Sequence, residues 1–136
     1  MPELAIRLLP GDDLRASLEA YTRKQDLAAG YILAAVGSLQ SATIRFAGMT
    51  AVTQIPGPLE IVSLSGTLSP AGIHVHIAVA DGAGQVSGGH LCAGSPVYTT
   101  AEIVLGTSSH FRFTREPDPR TGFRELVILD KNGTPR

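Results

Sequence analysis

Apolar and polar positions along this chain mostly follow the two-residue period of a β-strand, and one stretch follows the period of a helix. Leu4 to Leu9 reads as a short strand that Pro10-Gly11 breaks. Asp12 is the candidate N-cap of the helix, and Asp13 adds negative charge at its positive end. Leu14, Leu18 and Tyr21 then recur at helical spacing, which predicts an amphipathic helix over 12–26 with Gly30 as its stop. Tyr31 to Val36 is a continuous apolar run and reads as a central strand buried on both faces, bent at Gly37-Ser38. Further strands are predicted over 42–49, 59–68, 73–80, 86–92, 97–105, 110–114 and 123–129. Ile55-Pro-Gly-Pro58 reads as a turn and Glu116 to Gly122 as a loop. The pattern predicts an α+β fold, a mostly antiparallel β-sheet with one main helix. That helix should pack on Ile32, Val36, Val75, Ile77, Val79 and Leu91.

Composition narrows the class. A chain of 136 residues suits one domain over 1–136, and 43% hydrophobic with 17% charged residues is enough apolar material for a core. Aromatics are 5% and Trp is absent, so that core is aliphatic. Eleven Lys+Arg against twelve Asp+Glu give a net charge of −1, which argues against a basic nucleic-acid surface. One Cys excludes an intramolecular disulfide framework and fits a reducing compartment. No apolar run approaches the roughly 18–20 residues of a membrane span. Met1-Pro-Glu-Leu lacks the features of a signal peptide. The expectation is a cytoplasmic protein with no membrane contact.

Three of the four histidines fall between positions 74 and 90. Along 73–80 side chains alternate faces, so Ile73, Val75, Ile77 and Val79 take one face and His74, His76, Ala78 and Ala80 the other. Asp81-Gly-Ala-Gly84 is a turn signal. If Asp81 faces Gln85 across a hairpin, His90 stands opposite His76, Leu91 opposite Val75 and Cys92 opposite His74. Opposed Cβ atoms lie about 4.5–5.5 Å apart, so three imidazoles and a thiol would share a face within reach of one ion. A slip of one residue, for which Gly88-Gly89 offers a bulge, would carry His90 to the core side. Imidazole nitrogens suit zinc or another divalent metal, and the candidate ligands are His74, His76 and His90. The competing reading makes them half-buried groups bonded to backbone or to a neighbouring subunit.

Other chemistry is weakly supported. No Gly-x-Ser-x-Gly elbow or phosphate loop occurs, and Cys92 beside His90 does not make a nucleophilic dyad. Glu60, Glu102 and Asp81 are possible acids or bases, although solvated or turn roles are the simpler reading of each. His110 alternates with Phe111 and Phe113 and reads as the exposed partner of an apolar strand face. The basic residues are dispersed; Arg112, Arg115, Arg120 and Arg124 form the only loose cluster, and Glu116, Asp118 and Glu125 dilute it.

Leu59-Glu60-Ile61-Val62-Ser63-Leu64-Ser65-Gly66-Thr67, Gly72-Ile-His74-Val-His76-Ile, Asp81-Gly and Val86-Ser-Gly88-Gly89-His90-Leu91 together resemble the PPC domain, the plants-and-prokaryotes conserved domain. Pro96 to Ile103 and Thr121 to Leu126 are similar to its bacterial members, so the resemblance covers nearly the whole chain. It implies an antiparallel sheet with one main helix and a homotrimer. It also implies metal binding in some members through histidines matching His74, His76 and His90. Plant members carry AT-hook segments that grip DNA, and this chain has no Arg-Gly-Arg-Pro core, so DNA binding is doubtful. Three functions follow as expectations. The first is a homotrimeric assembly module with a His-rich divalent-metal site, zinc being the first choice, open to protein partners and without catalysis. The second is a DNA-associated transcriptional regulator. The third is a metal-dependent enzyme on a small polar substrate with Glu60 or Glu102 as base.

Overall fold

The structure is a computed structural model that describes residues 3–136. Strand β1 (Glu3–Leu8) leads to helix α1 (Leu14–Lys24). The N-cap is Asp13, not Asp12: its Oδ2 accepts from the Ala16 N–H at 2.9 Å. Its Oδ1 accepts from the N–H groups of Gly94 and Ser95 at 2.8 and 2.7 Å, which ties the helix start to a distant loop. Asp12 instead accepts from the Leu9 N–H. The helix ends at a Gln25 cap, and Asp26 turns the chain away with φ of 49°. Gly30, expected as the stop, opens the next strand.

Two expected breaks are absent. Strand β2 (Gly30–Arg45) runs through Gly37-Ser38, and β3 (Thr53–Ser69) runs through Ile55-Pro-Gly-Pro58. The ladders absorb the awkward residues as register shifts, at Gly37/Leu39 between β2 and its neighbour and at Leu39/Ser41 between β2 and β3. A Cβ at Gly37 would meet the Thr100 carbonyl oxygen at 2.3 Å, and one at Gly57 the Gln40 carbonyl oxygen at 2.2 Å. These glycines allow close backbone approach rather than turns. After Arg45 the chain leaves the sheet, so the predicted 42–49 strand stops short.

Strands β4 (Gly72–Ala80), β5 (Val86–Leu91), β6 (Val97–Thr107), β7 (Arg112–Asp118) and β8 (Phe123–Leu129) follow. Strand β7 includes Glu116 to Asp118, so the expected loop shrinks to 119–122, and His110 precedes the strand. Six strands form one sheet in the order β1-β6-β2-β3-β4-β5, and every pairing is antiparallel. Strand β5 also pairs with the end of β2, Ile44 opposite Leu91 and Arg45 opposite His90. Strands β2, β3, β4 and β5 therefore close into a ring, and β7–β8 is a separate hairpin. The mostly antiparallel sheet and single short helix agree with the predicted fold class.

The core is aliphatic: Leu14, Leu18, Leu39, Ile44, Val75 and Leu105 are fully enclosed among others. The helix lies against β3 and β4, as the Val75, Ile77 and Val79 face requires. Val36 does not join it and is 57% exposed. Over Tyr31 to Val36 the strand is not buried on both faces, which corrects that expectation: Leu33 and Val36 look outward, whereas Ser38, Leu39 and 42–44 are buried. Among the described residues no helix is long and apolar enough to cross a membrane.

Candidate metal centre

The site begins with strand alternation. Ile73, Val75, Ile77 and Val79 are buried, which forces His74 and His76 to the other face. The hairpin closes on Asp81, whose Oδ1 accepts from the N–H groups of Ala83 and Gln85, both at 2.9 Å. Its own N–H donates to the Gln85 carbonyl at 3.0 Å. That turn sets the register, and His76 stands opposite His90 as predicted.

The Gly88-Gly89 pair does not cause a slip. A Cβ on Gly88 would lie 2.7 Å from the Ile77 carbonyl oxygen, and one on Gly89 would lie 2.6 Å from that of Arg45. Strand β5 is wedged between β4 and the end of β2, and two glycines in succession let it fit. His90 emerges from this wedge beside both neighbours.

The three imidazoles converge. Ring centroids are 4.8 Å apart for His74–His76, 5.2 Å for His74–His90 and 5.9 Å for His76–His90. One nitrogen from each ring can be chosen so that all lie within 4.8 Å of one another, and the Nε2 atoms of His74 and His76 are 3.1 Å apart. Bond lengths of about 2.0–2.1 Å to zinc imply nitrogen separations of roughly 3.0–3.4 Å around one ion. The His74–His76 pair already has that spacing. His90 Nδ1 is buried without a hydrogen-bond partner, a costly state that a hydrogen bond or a ligated ion relieves. Three imidazoles with no fourth ligand among the described residues suit a divalent ion with an open position.

The surroundings of His74 and His90 favour the ligating, neutral form of both rings. Burial first, then the Arg45 and Arg15 guanidinium groups, push His90 down to about 4. Burial, then His76 and Arg115, lower His74, while Glu125 pulls weakly upward.

Cys92 does not belong to the cluster. Strand β5 leaves β4 after His90, Leu91 pairs with Ile44 rather than Val75, and the Cys92 N–H donates to the Thr43 carbonyl at 3.0 Å. The thiol contacts the His90 carbonyl at 3.6 Å. Glu60 stands on β3 opposite Ser38 and Ala80, and Glu102 on β6 opposite Arg7 and Val36. Neither lines the cleft of about 810 Å³ over the histidines. That cleft is walled by Arg45, Phe46, Met49 and Phe123. Sequence reasoning missed Arg45, because only the β2–β5 register brings it beside His90. His110 lies apart, beside a cavity of about 690 Å³ with Phe111 and Phe113.

A model of the Plants and Prokaryotes Conserved (PCC) domain, the family written PPC above, matches residues 1–109. The chain is 54% identical over 123 residues to a bifunctional protein GlmU of Synechococcus, covering 90% of this chain and 20% of the relative. It thus spans about a fifth of that relative's length. Among solved structures, a hypothetical protein of Salmonella enterica superposes with TM-score 0.92 at 38% identity, covering 96% of this chain and 94% of its own. A metal-containing protein of Archaeoglobus fulgidus superposes with TM-score 0.79 at 28% identity, covering 93% and 94%.

Proposed function

This chain belongs to the Plants and Prokaryotes Conserved domain family, and on that premise we propose that it is a homotrimeric assembly module whose His74, His76 and His90 hold a divalent metal, zinc first. The observation that carries the metal is the convergence of three imidazoles from adjacent strands, one with a buried unpartnered nitrogen. The metal-containing Archaeoglobus relative supports it. A bound ion supplies a Lewis-acid position and a concentrated positive charge. The chain's own contribution is to fix three ligands on two adjacent strands and to favour the neutral form of His74 and His90.

The trimer rests on the uncovered side of the sheet. Leu33 and Val36 on β2, Val62 on β3 and Tyr98 on β6 are all exposed. The β2–β3 register places Val62 beside Val36. Exposed apolar side chains gathered on a sheet face mark an association surface, and closed symmetry limits such assembly. Catalysis draws less support, because no carboxylate lines the cleft. The net charge of −1 argues against a DNA-binding surface.

Metal content of purified protein tests the first part. Wild type should hold about one ion per chain and His76→Ala much less; equal content refutes ligation. Light scattering tests the second, with a mass three times the 14.2 kDa chain expected and a monomer contradicting it.

A further inference from the structure

The field at the histidine cleft is predominantly positive, with Glu125 acting against it at His74. Its three imidazoles are neutral ligands, so a divalent ion bound there keeps its full charge. The Arg45, Arg15 and Arg115 guanidinium groups all act on the rings. Arg15 is tied to the Leu91 carbonyl at 2.9 Å and to Glu19 at 3.0 Å, and Arg115 to Thr67 Oγ1 at 3.3 Å. Arg45 makes no ion pair and no side-chain hydrogen bond among the described residues, yet it lines the cleft beside His90. No Asp or Glu lines that cleft, while Phe46, Met49 and Phe123 do, the last two well exposed.

We propose that this cleft binds a small organic carboxylate, shared between the ion held by the triad and the Arg45 guanidinium, with its hydrocarbon part against Phe46, Met49 and Phe123. The inference rests on the metal reading above. Two cationic centres match the two oxygens of a carboxylate, and a guanidinium presents paired donors to such a group. An inorganic phosphate would leave the apolar wall unused. The volume, about 810 Å³, is that of an ordinary small-molecule site.

Cobalt(II) replaces zinc as the probe, because its visible absorption reports both loading and a change of ligand. Full-length protein is loaded with cobalt, its stoichiometry is measured, and phenylacetate, acetate and phosphate are titrated separately. Phenylacetate should shift the band saturably. Arg45→Gln should weaken it about ten- to a hundredfold at unchanged cobalt content, the worth of a charged hydrogen bond. Phe123→Ala should weaken phenylacetate but not acetate. Absence of cobalt binding sinks the metal reading and this inference with it. Full cobalt loading with a silent band, or an Arg45→Gln variant that binds phenylacetate as wild type does, overturns this inference alone. Phosphate binding tighter than phenylacetate overturns the assignment to carboxylates.

Discussion

A single methyl group on Gly89 should loosen the ring of strands and disable the histidine cluster together. Gly89 is not among the positive-φ glycines, so alanine meets no backbone objection there and the test isolates the side-chain contact. The new Cβ would lie 2.6 Å from the Arg45 carbonyl oxygen and 2.8 Å from Ile44 Cγ2. Both fall short of ordinary contact by about 0.6–0.8 Å, and backbone on both sides of β5 limits relief. Overpacking of this kind costs about 1–3 kcal/mol. For a chain of this size that lowers Tm by roughly 3–12 °C. His90 would shift by a comparable fraction of an ångström, beyond the tolerance of about 0.2 Å in ligand distances, so metal affinity should fall about tenfold or more. Gly82→Ala is the control, because it lies in the same hairpin with nothing within 4 Å of its Cβ position. Thermal unfolding without metal and zinc titration against a chromophoric chelator give the two readouts. A Gly89→Ala variant with wild-type Tm and wild-type zinc affinity would refute the wedge as the device that places His90.

Three further outcomes follow from the same geometry. His90 sits at about 4 in the fold against an ordinary value near 6.5 when unfolded, so the unfolded chain binds the extra proton between those limits. In metal-free protein the contribution of His90 to stability should be full above about pH 6.5 and be lost as pH falls toward 4, and His90→Asn should flatten the slope of denaturant midpoint against pH over that range. Asp13→Ala removes the helix cap and both bonds to the loop at Gly94 and Ser95, so urea unfolding should show a loss of about 1–3 kcal/mol, beyond a cap alone. Val36→Asp should shift the light-scattering mass from trimer to monomer while leaving circular dichroism unchanged, since the side chain is exposed in the single chain; an intact trimer would place the interface elsewhere.

The histidine pairing was readable because two local signals agreed. Alternation put His74 and His76 opposite a buried aliphatic row, and the Asp81 turn fixed the register that brings His90 across. What the sequence hid was long-range. Ile55-Pro-Gly-Pro58 and Gly37-Ser38 carry turn chemistry, but here they relieve close approach inside long strands, which only the neighbouring strand reveals. Cys92 was misplaced because extending the β4–β5 ladder ignored the capture of β5 by β2. The same capture makes Arg45 a neighbour of His90 and leaves nothing local to announce it. Tyr31 to Val36 looked doubly buried because a continuous apolar run does not mark which of its side chains stay exposed, as Leu33 and Val36 do.

The most direct test is an anomalous difference map, at the zinc edge, from crystals of the full chain grown with zinc. One strong peak per chain is expected within about 2.0–2.1 Å of a nitrogen from each of His74, His76 and His90. A map with no peak among those rings, or zinc held only by other residues, would contradict it.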